Sequence, residues 1–450
     1  MNLFNVKSVL LRDNFKQWSA IGMVAVGMAL SGCGGGSSSS SASVRVANAT
    51  LTHSSLDLWA NAAISTATAT AKNAISAYAT PASGAVTLQL DDSGSTTGLT
   101  TSTPTLTGGS HYTLLAYESG AAGVATVKTA LLPEDWTIPA VGVTQLRIYD
   151  AAPEAGNLDV FVTSAPVPAG TSPAGYVGSF VVSNTPTEIV LAEGTGSYYL
   201  SVTATGNPSD VRMLNLPIAV TSQQVATVAL TPASGGSLLD GSLLIQQAAF
   251  STFRNTGTRV RLASAVSGTA TTVTASATNA ASGTVTLDLG SIAPQFDPYV
   301  LVPAGSTLHV TVNGATVAAP TTLAPGGDMT LLVWGAPAAA VASLLSDDNR
   351  PPTNSALVKI RLINGLTGSA TNALSLSANG LQVATGVQPD TASIYNSVAS
   401  NIYGTTLTLS SSLQGASYFT STPYILNANS VYTVFVVGDY LAAAPKLLVQ

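Results

Sequence analysis

From residue 44 onward, apolar and polar residues alternate with a period of two. Val86-Thr87-Leu88-Gln89-Leu90, Leu200-Ser201-Val202-Thr203, Leu308-His309-Val310-Thr311-Val312 and Leu407-Thr408-Leu409 all follow it. Alternation of this kind, punctuated by Gly, Pro, Asn or Ser clusters, predicts antiparallel strands with one wet face. Helical periodicity is nearly absent. The best helix candidate is the Ala-rich run 338–345, with Pro337 placed to open its first turn.

Two patterns recur four times. The first is Val44-Arg45-Val46-Ala47-Asn48, matched by Leu146-Arg147-Ile148-Tyr149-Asp150, Val260-Arg261-Leu262-Ala263-Ser264 and Ile360-Arg361-Leu362-Ile363-Asn364. Its arginines stand 102, 114 and 100 residues apart. The second is Tyr112-Thr113-Leu114-Leu115, matched by Val225-Ala226-Thr227-Val228, Met329-Thr330-Leu331-Leu332 and Tyr432-Thr433-Val434-Phe435. Units of ~100 residues have the commonest size of an independent domain. The fold class expected is all-β, with tandem immunoglobulin-like antiparallel β-sandwiches over residues 44–135, 141–235, 256–345 and 356–450. Linkers are expected near 134–140, 234–255 and 346–355, where turn-forming and polar residues collect.

Unit two, with Arg147-Ile148-Tyr149-Asp150-Ala151-Ala152-Pro153-Glu154, Leu158-Asp159-Val160-Phe161-Val162 and Gly196-Ser197-Tyr198, resembles domain of unknown function 4397. That bacterial secreted domain occurs in tandem on extracytoplasmic proteins. The stretch Leu344-Leu345-Ser346-Asp347-Asp348-Asn349-Arg350-Pro351 is similar to that family's linker. The resemblance spans most of the chain from Val44, and unit three departs most, with Ser264 where the others have Asn or Asp. It implies architecture and supplies no activity.

The N-terminus has a different character. Lys7, Arg12 and Lys16 precede an uninterrupted apolar run over residues 20–30. Eleven residues make a helix of ~16 Å, about half a hydrocarbon core. Residues 1–32 therefore read as a signal peptide and not a membrane span. Leu30-Ser31-Gly32 lead into Cys33, the only cysteine of the chain. This resembles the lipobox of bacterial lipoproteins. The resemblance implies that Cys33 carries diacylglycerol, that cleavage precedes it, and that its new amine is acylated. Gly34, where inner-membrane retention wants Asp, implies the outer membrane. Residues 33–43 form the lipidated cysteine and a Gly/Ser tether.

Composition narrows the partners. Charged residues are 8% of the chain, against ~25% in ordinary soluble proteins. The 46% apolar content argues against wholesale disorder. With 15 basic against 21 acidic residues, nucleic acid is not an expected partner. The expected partners are the membrane, through the lipid anchor, and a glycan or surface protein.

Candidate chemistry centres on the repeat-position residues Arg45, Arg147, Arg261 and Arg361. Twelve residues on, units one and two place Asp57 and Asp159, whereas units three and four have Val273 and Ala373. A hairpin centred near Leu51 would set Arg45 opposite Asp57. Such a pair reads either as a repeated carboxylate-binding site or, with more weight, as an exposed cross-strand ion pair that fixes register. In units three and four the guanidinium must find backbone carbonyls or another acid. His53, His111 and His309 lack metal-ligand spacing and read as surface residues, and no metal site, cofactor or catalytic residue is assigned. No nucleophile-elbow motif precedes a helix. The acid pairs Asp91-Asp92, Glu134-Asp135 and Asp347-Asp348 lack a calcium-loop pattern and read as solvated. Trp59, Trp136, Trp334, Tyr117 and Tyr149 read as core.

The function expected is a non-enzymatic, lipid-anchored envelope or surface protein bearing binding or adhesion modules. A purely structural spacer and a hydrolase of envelope polymers are the alternatives.

Overall fold

The computed structural model describes residues 40–449 apart from 121–124, 181–186, 192–195, 269, 289–291, 322, 324 and 442–444. Cys33 and the rest of the lipobox lie outside the described residues. The described chain is all-β, a series of two-sheet sandwiches with two short 3-10 turns and no α-helix among the described residues.

The two recurring patterns meet in every unit. The arginine-bearing strands are Ser43–Asn48, Thr144–Asp150, Thr258–Val266 and Leu357–Thr367. Each pairs in parallel with a threonine-bearing strand: His111–Ser119, Gln224–Pro232, Asp328–Gly335 and Val431–Asp439. The register is the same each time. Arg45 stands beside Thr113, Arg147 beside Thr227, Arg261 beside Thr330 and Arg361 beside Thr433. A closing strand then returns antiparallel to the threonine strand: Thr126–Pro133, Leu239–Ile245, Val341–Asp347 and Lys446–Val449.

One parallel pair per unit departs from the expected antiparallel pattern. Parallel neighbours need a long crossover, and here the crossover is the whole second sheet. In unit two that sheet orders Tyr176–Phe180, Leu158–Thr163, Gly196–Ala204 and Asn207–Val220, all antiparallel.

Alternation places Val44 and Val46, Leu146 and Ile148, Val260 and Leu262, and Ile360 and Leu362 in the sandwich cores. The opposite face of these strands is not wet, as expected, but buried against another unit. Ala47, Leu115 and Leu132 of unit one pack on Tyr149, Ala229 and Leu244 of unit two. Ala263 and Leu332 of unit three pack on Ile363, Phe435 and Val437 of unit four. The approach in the second pair is close. A Cβ on Gly365 would lie 2.5 Å from the Phe435 ring and 2.9 Å from Ala265 Cβ. Units one and two thus form one pair, units three and four another, and residues 39–450 cluster as one compact unit.

Two local expectations change. Pro337 opens only the 3-10 turn Pro337–Ala339, and the alanine run continues as the closing strand Val341–Asp347. Its ladder with the threonine strand, Trp334 opposite Val341 through Asp328 opposite Asp347, overrides alanine's helix preference. The stretch 234–255, read as a linker, contains Leu239–Ile245 and Phe250–Phe253, which extend the first sheet of unit two.

Candidate functional site

The hairpin expected between Arg45 and Asp57 does not form. Residues 49–54 carry the chain to the other sheet, so Ser55–Ala60 pairs with Leu88–Asp92 and puts Asp57 opposite Asp91. Asp57 instead holds a turn, accepting hydrogen bonds from Ala69 N at 2.6 Å, Ser93 Oγ at 3.1 Å and Gly94 N at 3.1 Å. Burial pushes its carboxyl up, yet these donors outweigh it and leave it below the usual range. Asp159 does the same for unit two, accepting from Gly206 N at 2.9 Å. Gly94 and Gly206 both adopt positive φ, so each acid fixes a left-handed turn beside its own strand. Units three and four lack the acid, and other side chains bond the backbone at this end of the strand. Asn313 Oδ1 accepts from Thr272 N, and Ser412 Oγ accepts from Ala373 N.

The repeated arginines are buried at 4%, 5%, 2% and 1% exposure. Arg45 donates to Thr113 Oγ1 at 3.0 Å, to Glu134 Oε1 at 2.5 Å, and across the unit boundary to Ala248 O at 2.7 Å and Ile245 O at 3.3 Å. Its guanidinium lies 5.0 Å from the Tyr78 ring centre, and the Tyr78 hydroxyl donates to Glu134. Arg147 lies 3.4 Å over the Trp136 ring.

In the second pair one acid serves both arginines. Asp347 bonds Arg361 directly and lies 3.6 Å from Arg261 Nε. The arginines also reach across reciprocally: Arg261 Nη2 donates to Thr433 Oγ1 at 2.9 Å, and Arg361 Nη2 to Thr330 Oγ1 at 3.3 Å. Tyr299 and Tyr395 face them at 4.5 and 4.8 Å, and Tyr299 donates to Asp347. Burial works against the Arg361 charge, but Asp347, Tyr395 and Tyr299 outweigh it and raise its pKa. These stations leave no open arginine face for a carboxylate ligand. They are ion-pair and stacking anchors between units, buried rather than exposed as expected.

Glu134 and Asp347, expected in solvated linkers, are therefore the buried counterions. Each follows or ends its closing strand at the same register: Glu134 N bonds His111 O, and Asp347 stands opposite Asp328, each two residues before the threonine. The threonines and the tyrosines were not singled out by sequence reasoning. The fixed place of Thr113, Thr227, Thr330 and Thr433 in the second pattern is the signal that points to them.

Of the histidines, His53 lies in a loop 2.6 Å from Asp92 Oδ1, and His111, at a strand start, is 2.9 Å from Asp135 Oδ1. His309 is exposed on its strand. Among the described residues, no group of three or more His, Cys, Asp or Glu is arranged to hold a metal. Tyr149 is core, Tyr117 and Trp334 are half-buried against the inter-unit cores, and Trp136 covers Arg147. Trp59 is half-buried at the end of its strand.

A cleft of about 540 Å³ opens where the two pairs meet. Gly120 of unit one, Pro153 and Glu154 of unit two, Asp348, Arg350 and Pro351 of the third connection, and Lys359, Tyr395 and Ser397 of unit four line it. Arg350 donates to Asp348 Oδ1 and Gly120 O, both at 2.7 Å. Lys359 Nζ donates to Arg350 O at 2.8 Å and lies 3.1 Å from Asp348 Oδ2. Burial opposes ionisation of Asp348, but Arg350 and Lys359 outweigh it and hold its pKa down. Glu154 Oε1 accepts from Ser119 Oγ at 2.6 Å and from Gly120 N.

Residues 42–161 match the family model described as a domain of unknown function (DUF4397). The match covers unit one and the start of unit two, including the arginine strand of each. No curated protein matches the chain.

Proposed function

We propose that the chain is a non-enzymatic, lipid-anchored protein of the bacterial outer membrane whose paired sandwiches present a binding surface at the cell boundary. The observation that carries the anchor is Cys33, the sole cysteine, directly behind Leu30-Ser31-Gly32 and a short apolar run. One acyl chain binds a bilayer only marginally, so the diacylglycerol and the N-acyl chain together make the attachment firm. Support for a binding module in place of a catalyst comes from the arginine stations. The repeat-position charges are committed to holding units together, and the remaining concave polar surface joins residues of several units. A spacer draws on the same rigidity but has no use for such a cleft.

The test is Cys33→Ser. The unaltered chain incorporates a labelled fatty acid and sediments with outer-membrane vesicles, and the variant does neither. A variant that still sediments as firmly overturns the proposal.

A further inference from the structure

The end of unit one that the tether enters carries an apolar loop. Val44, Tyr112 and Pro133 stand in one row across three neighbouring strands, so Pro133 lies two strand spacings, ~10 Å, from the strand that follows the tether. Just beyond it, Thr137-Ile138-Pro139-Ala140-Val141-Gly142 has no charged residue. Ile138 is 63% and Val141 80% exposed. The loop is tied down at both ends. Trp136 N donates to Gln246 Oε1 at 2.9 Å and Gln246 Nε2 to Trp136 O at 3.0 Å, while Gly142 N donates to Ser222 Oγ at 2.7 Å. Asp135, beside its base, lies 2.9 Å from His111 Nδ1 and accepts from Gln247 Nε2 at 2.9 Å. Backbone and charge are thus held in place, and the two aliphatic side chains are left in water.

The second pair attaches at the opposite end. Arg350 bonds Gly120 O at 2.7 Å, next to the last residue of His111–Ser119, and a strand of nine residues is ~27 Å long. A lipid on Cys33 lies on the loop's side. Cys33 is seven residues before Ser40, and at ~3.3–3.6 Å each these reach at most ~25 Å. Two aliphatic side chains fall far short of the ~800 Å² per partner of a stable protein interface. A bilayer needs no matching shape and takes up apolar groups brought within its reach. We infer that residues 137–142 form a second contact with the bilayer, Ile138 and Val141 entering its interface beside the acylated Cys33. The inference rests on the reading of Cys33 as the anchor and assigns the surface that turns to the lipid. A single attachment leaves the chain free to tilt, whereas the second contact holds the first pair end-on with the second pair pointing away.

The experiment places one dye at a time. Cys33 is the only cysteine and its sulfur is blocked in the anchored chain, so an environment-sensitive maleimide labels only an introduced thiol. Val141→Cys is the probe, and Ile402→Cys in unit four, likewise 80% exposed, is its matched control. The full lipidated chain is reconstituted in vesicles of phosphatidylethanolamine and phosphatidylglycerol, with or without brominated acyl chains. Bromine quenches the dye of Val141→Cys at least threefold and leaves that of Ile402→Cys unchanged. Adding Ile138→Asp to the probe chain restores emission at least twofold while the melting temperature holds. Equal emission of the probe in both kinds of vesicle overturns the inference, as does quenching that is the same at both positions or that survives Ile138→Asp. Labelling of the unaltered chain has a different meaning: it marks Cys33 as a free thiol, which sinks the anchor reading and this contact with it.

Discussion

The two inter-unit interfaces solve one problem in different ways. Between units three and four, Asp347 neutralises two arginines, and each arginine also bonds the other unit's threonine. Between units one and two, Glu134 pairs with Arg45, while Arg147 lies against the face of Trp136. Unit two has Gln246 at the register of the acid, and it pairs with the Trp136 backbone through Gln246 Nε2 to Trp136 O at 3.0 Å and Trp136 N to Gln246 Oε1 at 2.9 Å. The second pair thus shares one acid between two units, whereas Glu134 of the first bonds Arg45, Thr113 and Tyr78 of its own unit. A carboxylate shared by two buried cations is harder to lose than one serving a single cation.

The most damaging change expected is Asp347→Ala. Breaking a buried ion pair costs ~3–5 kcal/mol, and stranding two arginines places this variant at the upper end. Urea unfolding of the full chain measures it. Glu134→Ala strands Arg45 and removes the acceptor of Tyr78 and Thr113, and it belongs nearer ~3 kcal/mol. Equal losses in the two variants would mean that sharing the acid has no energetic meaning.

The next effect has the opposite sign. Asn48 and Asn364 each accept a backbone N–H two residues on and donate Nδ2 to carbonyls, Thr70 O at 3.1 Å in one case and Asn372 O and Val387 O at 2.9 Å in the other. Asp150 holds the same place in unit two and accepts from Ala152 N at 2.9 Å, but its Oδ2 has no partner. Burial, reinforced by Glu154 and opposed by the Ala152 bond, pushes its pKa up from 3.8 to about 7. The folded state thus holds this proton more tightly than the unfolded one. The contribution is complete below pH ~4, falls as the pH climbs towards ~7, and is lost above it. Asp150→Asn should flatten that slope and raise stability by about 2 kcal/mol at pH 8, read from melting at several pH values. An unchanged pH profile would show that Asp150 is not the group titrating.

The smallest effect is expected from Arg147→Ala, which removes at least the stacking on Trp136, about 1 kcal/mol. It should lower the melting of the first pair, read by calorimetry of the full chain; unchanged melting would show that the stacking on Trp136 carries no stability.

Much of this fold was legible because alternation reports which residues share a face. Val44 and Val46 against Arg45 predicted the core correctly. What lies on the far face was not legible, because period two looks the same whether that face meets water or another sheet. The clue lay in Ala47, Ile363 and Phe435, apolar residues on the face assigned to solvent. Pairing partners were hidden for a related reason. Asp57 is twelve residues from Arg45 and suggested a hairpin, but the partner strand lies 68 residues on, at Thr113. Local spacing favours the near partner, and only the repetition of both patterns in all four units points to the distant one. The cleft was invisible in sequence because its lining comes from the edges of three units and one connection.

The closing strand brings each sandwich back to the edge where its arginine strand began, Glu134 N bonding His111 O beside Ser43. Entrance and exit of a unit are thus neighbours, and a whole unit could be gained or lost with little rerouting of the rest. The apolar face beside each arginine sets the size of that step. A lone extra sandwich would leave that face in water, so arrays of this kind should grow and shrink two sandwiches at a time.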